Sequence, residues 1–258
     1  MVNLIKELYN YRQLLKSNVQ KEIRGKYKGS FLGVLWSFVN PLLMTLVYAI
    51  VFPFLLRGAQ PHYTTFIVVA IIPWTWFTYT ISQGTSTILA NGGIIKKVYF
   101  PRMILPISIV TSGLINFLIS CIIIFIFLFC SGVGISWHLV FLPLIIIIQY
   151  ILQLGLVLMT SAINVFIRDA EYIITFIVNM VFYGTPILYS VDLFPAQFHW
   201  ILHLNPMATI IEAYRDAFFN HAVPNMTLLG IVGIVSVIVF IVGILVFRKL
   251  EKGFAEEL

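Results

Sequence analysis

Residues 103–167 read MILPISIVTSGLINFLISCIIIFIFLFCSGVGISWHLVFLPLIIIIQYILQLGLVLMTSAINVFI, and none of these 65 residues is Asp, Glu, Lys or Arg. An α-helix rises about 1.5 Å per residue, so about 20 apolar residues cross a hydrocarbon core about 30 Å thick. The stretch therefore suits two passes, and Ser131-Gly132-Val133-Gly134 marks the turn between them. It predicts a membrane-spanning helical hairpin.

The composition of the whole chain agrees with this prediction. Its 258 residues are 60% hydrophobic and only 10% charged, whereas soluble domains carry about 25% charged residues. There are too few charges to coat a water-soluble domain, and apolar residues are too abundant for a disordered chain. The remaining class is an all-α polytopic membrane protein, whose partner is the lipid bilayer and not nucleic acid.

Uncharged runs elsewhere in the chain predict further spans, for a total of six. The predicted spans are roughly 31–56, 64–90, 104–130, 139–166, 172–191 and 225–247. An even number of spans places both termini on one side of the membrane. The chain is thus expected to consist of an N-terminal segment, residues 1–30, and a membrane domain, residues 31–258.

The basic residues orient these spans. With six spans, 14 of the 16 Lys and Arg residues fall on one face of the membrane, and only Arg57 and Arg215 fall on the other. Loops rich in Lys and Arg stay in the cytoplasm. We therefore expect both termini to be cytoplasmic.

Apolar residues recur at helical spacing within residues 1–30, from Leu4 to Ile23, with basic residues mostly on the other side. This pattern is typical of a basic amphipathic helix that lies on the membrane surface. A signal peptide is excluded, because both the charged stretch and the following apolar run are too long.

Residues 193–211 are uncharged but rich in proline and imidazole. Such residues make a lipid-exposed span costly, so we expect short re-entrant helices on the outer face, buried against protein. The alternative is a further span, which would move the tail outside and reduce the basic asymmetry to 12 against 4. The candidate residues of this outer region are Pro195, His199, His203, Asn205, Pro206, Glu212 and Arg215.

Several kinds of chemistry are missing from the sequence. No phosphate-binding loop and no metal-binding motif occur, so no cofactor or metal ligand is expected in this chain. No ionisable Asp, Glu, Lys or Arg lies within a predicted span, which disfavours ion-coupled transport. No catalytic residues are assigned. The cluster from Arg168 to Glu171 could be catalytic, but a solvated charged loop is the commoner explanation.

The loop between the second and third spans, residues 91–102, mixes basic and apolar side chains. Such a surface can lie against lipid headgroups or fit a partner's groove, and the pattern does not choose between them. The candidate partner-contacting residues are Ile95, Lys96, Lys97, Tyr99 and Arg102, together with Arg168 and Asp169 in a later loop.

Aromatic and hydroxyl side chains cluster in the second span, deeper than an interfacial aromatic belt should lie. Aromatic faces stack on the C–H faces of sugars and give a pore without fixed charge, although helix packing is the alternative for each residue. The candidates for contact with a glycan are Trp36, Trp74, Thr75, Trp76, Thr78, Tyr79, Tyr183 and Tyr189.

Four motifs together resemble the ABC-2 type polysaccharide exporter permeases. They are residues 21–33 (KEIRGKYKGSFLG) with Trp36 and Asn40-Pro41; residues 95–102 (IKKVYFPR); residues 185–190 (TPILYS); and Asn205-Pro206-Met207 with residues 212–215 (EAYR). The resemblance implies a homodimer that pairs with two separate ATP-binding subunits, which hold ATP and Mg²⁺. It also implies export of lipid-linked glycans such as O-antigen or teichoic acid across a bacterial inner membrane, with residues 91–102 as the coupling element.

The expected function is therefore that of a transmembrane subunit of an ATP-driven polysaccharide exporter. One alternative keeps this architecture and changes the cargo to a drug or a lipid. Another is a membrane enzyme that acts on lipid-linked sugars through Asp169 and Glu171, and a third is a passive channel.

Overall fold

The computed structural model describes residues 9–25, 33, 36–55, 61–193, 197 and 199–258. Within these ranges every regular element is a helix and no strand occurs. The prediction of an all-α fold is therefore confirmed for the described part of the chain.

The helices are numbered here in chain order. Their bounds are α1 Arg12–Gly25, α2 Trp36–Leu55, α3 Tyr63–Ala90, α4 Gly92–Ile95, α5 Ile104–Cys130, α6 Leu142–Phe166, α7 Ala170–Tyr183, α8 His199–Leu204, α9 Pro206–Arg215, α10 Met226–Leu250 and α11 Phe254–Glu257. Short 3₁₀ turns occupy Trp137–Phe141, Val191–Leu193 and Glu251–Gly253, and a π turn occupies Asp216–Asn220.

Four helical segments of the described chain are long and apolar enough to cross a membrane. They are Tyr63–Ala90, Ile104–Cys130, Trp137–Phe166 and Met226–Gly253, and each coincides with a predicted span. The protein is thus an integral membrane protein. The other two predicted spans correspond to α2 and α7, whose apolar helical parts are shorter, Val39–Phe52 and Ala170–Tyr183.

Helix α7 ends at Tyr183, and the predicted end of this span at residue 191 is therefore corrected. The chain continues with Gly184, Thr185 and Pro186, and a residue that precedes proline is disfavoured in a helix. With 14 residues, α7 is about 21 Å long, shorter than a hydrocarbon core. Residues 184–190 follow as an irregular loop.

Helix α3 lies at the centre of the bundle and packs against α2, α5, α6, α7 and α9. The helix continues through Pro73, whose carbonyl accepts a hydrogen bond of 3.0 Å from the side-chain amide of Gln149. The predicted turn between α5 and α6 contains Gly132 and Gly134 at φ +77° and +78°, a backbone conformation that favours glycine.

Helices α6 and α10 form the most extensive helix–helix contact among the described residues. A Cβ atom added to Gly155 would lie 2.6 Å from the backbone nitrogen of Phe240, and one added to Gly243 would meet the backbone carbonyl of Gly155. Glycine at both positions lets the two backbones touch, as is common where membrane helices associate. We call this contact the α6–α10 seam.

Helix α1 is amphipathic, and its apolar side packs against α5. Val19 is buried, and Tyr11 and Leu14 pack on the core. The Nζ atom of Lys21 donates a 3.2 Å hydrogen bond to the side-chain oxygen of Asn91, after the end of α3. Helix α1 therefore lies at the end of the bundle where α3 and α6 finish and α5 and α7 begin, which we call the basic end.

Candidate functional site

A cleft of about 790 Å³ opens between α2, α3, α5 and α7. None of its described lining residues is Asp, Glu, Lys or Arg. The lining consists of Trp36, Asn40, Pro41, Met44, Tyr48, Ile71, Ile72, Trp74, Thr75, Trp76, Thr78, Tyr79, Ser82, Gln83, Gly113, Asn116, Phe117, Ser120, Asn179, Phe182 and Tyr183.

Seven of the eight residues predicted to contact a glycan line this cleft. They are Trp36, Trp74, Thr75, Trp76, Thr78, Tyr79 and Tyr183. The eighth, Tyr189, lies outside the cleft and donates a hydrogen bond of 2.9 Å from its hydroxyl to the carbonyl of Tyr183. The structure therefore gathers most of the set on one surface.

The two central tryptophans are held in place by other aromatic rings. The ring of Trp74 lies 5.2 Å from that of Phe77 and 5.7 Å from that of Phe182. Trp76 stacks on Phe117 of α5, with ring centroids 4.8 Å apart. Aromatic contacts at these distances stabilise a defined ring orientation. The tryptophan rings that line the cleft are thus held in defined orientations by their neighbours.

Uncharged polar side chains share the cleft with these rings, and sequence reasoning missed most of them. Amides come from all four helices, as Asn40, Gln83, Asn116 and Asn179, and hydroxyls from Ser82 and Ser120. The sequence signals differ: Asn116 and Asn179 each interrupt an apolar segment, Gln83 lies in a polar run, and Asn40 belongs to the Asn40-Pro41 motif. A wall of aromatic faces and amides without fixed charge can stack on sugar rings and exchange hydrogen bonds with hydroxyl groups.

The predicted partner-contacting loop lies at the basic end and has an anchored and an exposed side. Ile95 is buried, as is Phe100. Lys96 and Lys97 are exposed, and Tyr99 is 91% exposed. The exposed side therefore combines positive charge with an aromatic ring, a combination suited to contact with another molecule.

Arg102 has a different role from its neighbours in this loop. Its guanidinium donates to the backbone carbonyl of Glu251 and lies 5.8 Å from the ring centroid of Phe254. Phe254 is itself buried against Phe166 and Phe247. Arg102 thus holds the C-terminal turn against the loop, a contact that sequence reasoning did not predict.

Arg168 and Asp169 are exposed in the turn between α6 and α7. The buried side chain of Asn164 fixes this turn: its amide nitrogen donates to the carbonyl of Thr85 at 3.2 Å, and its oxygen accepts from the backbone nitrogen of Glu171 at 3.1 Å. Both predicted loops consequently lie at the basic end.

Arg215 closes the opposite end of the bundle and is buried. Its guanidinium donates to the carbonyls of Ile187 at 2.6 Å and Tyr189 at 3.4 Å, and lies 3.6 Å from the ring centroid of Phe66. Burial lowers the pKa of Arg215 to about 9, although Glu212 and other nearby groups raise it, and the guanidinium therefore stays charged at neutral pH. It pins the irregular loop after α7 to α3 and α9.

The other residues of the predicted outer region lie at several separate positions. Asn205 caps α9 by accepting from the backbone nitrogen of Met207, and donates to the hydroxyl of Thr185 at 2.8 Å. Pro206 is the first residue of α9, and Glu212 is half-buried on the same helix. His199 and His203 lie in α8, where the structure describes their backbone only. Pro195 lies outside the described residues.

No group of three or more His, Cys, Asp and Glu side chains in the described ranges is placed to hold a metal ion. The predicted site residues within the described ranges thus fall on the uncharged cleft and on the two ends of the bundle that flank it.

Comparison with known proteins gives one family and a set of full-length relatives. The ABC-2 type transporter family matches residues 13–219. An O-antigen export system permease protein RfbA from Myxococcus xanthus is 35% identical over 100% of both chains, and one from Klebsiella pneumoniae is 37% identical over 98% of both. A polysialic acid transport protein KpsM from Escherichia coli is 20% identical over 90% of this chain and 92% of its own.

Proposed function

The chain belongs to the ABC-2 type transporter family, and we propose that it is the permease subunit of an ATP-driven exporter of a lipid-linked cell-surface polysaccharide. It is a transporter subunit and not an enzyme. The relatives named above, two for O-antigen export and one for polysialic acid transport, support a polysaccharide cargo.

The cleft is the observation that carries this proposal. Export of a polymer requires a path on which many sugar units bind weakly and then move on. Aromatic faces contribute modest stacking energy to each unit, and the absence of charged side chains from the described lining avoids strong fixed contacts. A groove for a drug would need only one enclosed pocket, whereas this cleft is an open surface that suits an extended chain.

In the proposed assembly a second copy of the chain covers the cleft. Polar lining residues such as Asn40 and Gln83 would otherwise face lipid, where unpaired amides are costly. Exposed apolar residues flank the cleft on both sides, among them Leu43 and Val47 on α2 and Met180 on α7. Two such faces related by a two-fold axis would enclose a common channel.

Two ATP-binding subunits would supply the energy by docking at the basic end. The exposed side chains of Lys96, Lys97 and Tyr99 would contact them, with Arg168 and Asp169 at the edge. Ile95 would transmit the force, because it is buried among the helices behind the loop. Arg102 would keep the C-terminal turn attached to the loop as it moves.

The proposed topology has six spans, with α2 and α7 as the first and fifth. Both termini and the basic end face the cytoplasm of a bacterium, in line with the distribution of Lys and Arg. Helix α1 belongs to an interface segment, and α8 and α9 form the re-entrant region of the outer face.

The test is reconstitution of this chain with its ATP-binding subunit in liposomes. We expect ATP-dependent movement of the source organism's own lipid-linked polysaccharide from the outer to the inner leaflet of inside-out vesicles. A partner variant that binds but does not hydrolyse ATP is the matched control. ATP hydrolysis without movement of the polysaccharide would contradict the proposal that polysaccharide is the cargo. If a drug or a lipid then stimulated ATP hydrolysis, that cargo would be favoured instead.

A further inference from the structure

Three side chains that line the cleft, Asn116, Trp76 and Thr78, have buried polar atoms that no described residue satisfies, and the first two belong together. Asn116 of α5 is 8% exposed, and both its amide oxygen and its amide nitrogen lack a hydrogen-bond partner. Trp76 of α3 is 3% exposed, and its indole nitrogen also lacks one. Buried polar atoms without a partner are rare, since each costs free energy on burial. A ligand is one source of the missing partners.

The two groups lie at the same place in the cleft. A Cβ atom added to Gly113 would be 3.0 Å from the indole nitrogen of Trp76, and the ring of Trp76 stacks on Phe117. Asn116 lies between these two contacts, within the same turn of α5. Glycine at position 113 lets the indole approach the helix backbone, and places its N–H beside the turn that carries the amide.

From this arrangement we propose that Asn116 and Trp76 form a sugar-binding subsite at the floor of the cleft. The amide of Asn116 accepts a hydrogen bond from one hydroxyl of a sugar ring and donates to an adjacent one, while the indole N–H of Trp76 donates to a third acceptor on the same ring. This inference rests on the proposed function. It adds to it a site that recognises hydroxyl groups and so selects saccharide over an apolar lipid.

A buried amide outside the cleft provides a matched control. Gln153 of α6 is fully buried, and its two amide atoms also lack a described partner, but it does not line the cleft. If unpaired amides were only a feature of the bundle, Asn116 and Gln153 would behave alike. The proposal requires them to differ in ligand binding.

The experiment uses the full complex with its ATP-binding subunit. The probe is the oligosaccharide released by mild acid from the source organism's lipid-linked polysaccharide, and binding is followed through tryptophan fluorescence. We expect Asn116→Leu to raise the Kd by ~10-fold, since about two neutral hydrogen bonds are lost. We expect Trp76→Phe, which keeps an aromatic ring opposite Phe117, to raise the Kd by a few-fold, and Gln153→Met to leave it unchanged.

Asn116→Ser, which is smaller and cannot overfill the cleft, serves if Asn116→Leu does not fold, and should also weaken binding. A Kd for Asn116→Leu or Asn116→Ser equal to that of the wild type overturns the subsite, and so does equal weakening by Gln153→Met. Wild-type complex that moves the lipid-linked polysaccharide but does not bind the probe also overturns the subsite and leaves the proposed function intact. Wild-type complex that neither binds nor moves a saccharide overturns both.

Discussion

The α6–α10 seam and the cleft are built from similar apolar helices, but glycine has a different role in each. At the seam, Gly155 and Gly243 bring two backbones into contact, so that the space between the helices is filled. In the cleft, Gly113 admits the edge of Trp76 beside the amide of Asn116, whose atoms have no described partner. The comparison teaches that close approach serves stability where the contact is apolar and complete. In the cleft, where unpaired polar atoms face a cavity, we propose that it serves binding.

The largest expected effect follows from filling the seam. Gly243→Ala would place a methyl group against the carbonyl of Gly155, and a backbone cannot move aside as a flexible side chain can. We expect the variant to lose about 3 kcal/mol of stability, because α6 and α10 must separate. Thermal unfolding in detergent, followed by size-exclusion chromatography, measures the loss.

The same helix offers a matched control for this substitution. A Cβ atom added to Gly230 meets nothing within 4 Å, so Gly230→Ala should leave the Tm unchanged or raise it slightly. Equal Tm values for the two variants would show that the seam is not a tight contact, and the contrast with the cleft would then fail.

The second prediction asks whether the buried guanidinium of Arg215 stabilises the fold, as the apolar contact at the seam does. Arg215→Ala leaves the carbonyls of Ile187 and Tyr189 without this donor and removes a cation from the face of Phe66. We expect a loss of about 2 kcal/mol, again measured by thermal unfolding. Arg168→Ala is the control, since that side chain is exposed. Similar Tm values for both variants would contradict a structural role for Arg215.

The spans that the sequence predicts best are those whose ends carry charges. Arg102 and Arg168 bracket α5 and α6, and the bounds of both helices follow the prediction closely. Five residues of the second span are predicted to contact a glycan because aromatic rings so deep in a span are unusual, and all five line the cleft: Trp74, Thr75, Trp76, Thr78 and Tyr79. In both cases the signal was local in sequence.

Features that depend on distant residues could not be predicted in this way. Asn116 is one amide in an apolar helix, and only its position opposite Trp76 and beside the cleft gives it a meaning. Arg215 was assigned to the outer face by counting charges, whereas its burial depends on carbonyls from a loop 28 residues earlier. The early end of α7 did have a local signal in Gly184 and Pro186, which an uncharged run of 20 residues obscured.

The next smaller effect tests whether the cleft contacts the polysaccharide. Tyr183 is 74% exposed and lines the cleft, so Tyr183→Ala removes a stacking face without opening a cavity in the core. We expect polysaccharide transport in proteoliposomes to fall by ~3- to 10-fold, with an unchanged Tm.

Phe176 is the control for Tyr183, because it lies on the same helix, is 64% exposed and does not line the cleft. Phe176→Ala should transport at a rate closer to that of the wild type. A larger loss for Phe176→Ala than for Tyr183→Ala would place the polysaccharide path on a different surface of α7.

The smallest expected effect on the fold concerns the basic end, where the cleft and its energy source are proposed to meet. The double variant Lys96→Glu with Lys97→Glu changes two exposed charges, so the Tm should stay within a few degrees of that of the wild type. Docking of the ATP-binding subunit should weaken, because charge reversal at an interface acts against complementary charges on the partner. We therefore expect a several-fold lower ratio of polysaccharide moved to ATP hydrolysed.

Lys252→Glu is the control, since it is exposed near the same end but outside the loop. An unchanged ratio in the double variant would separate the basic loop from transport, and the cleft would then need another route to its energy source.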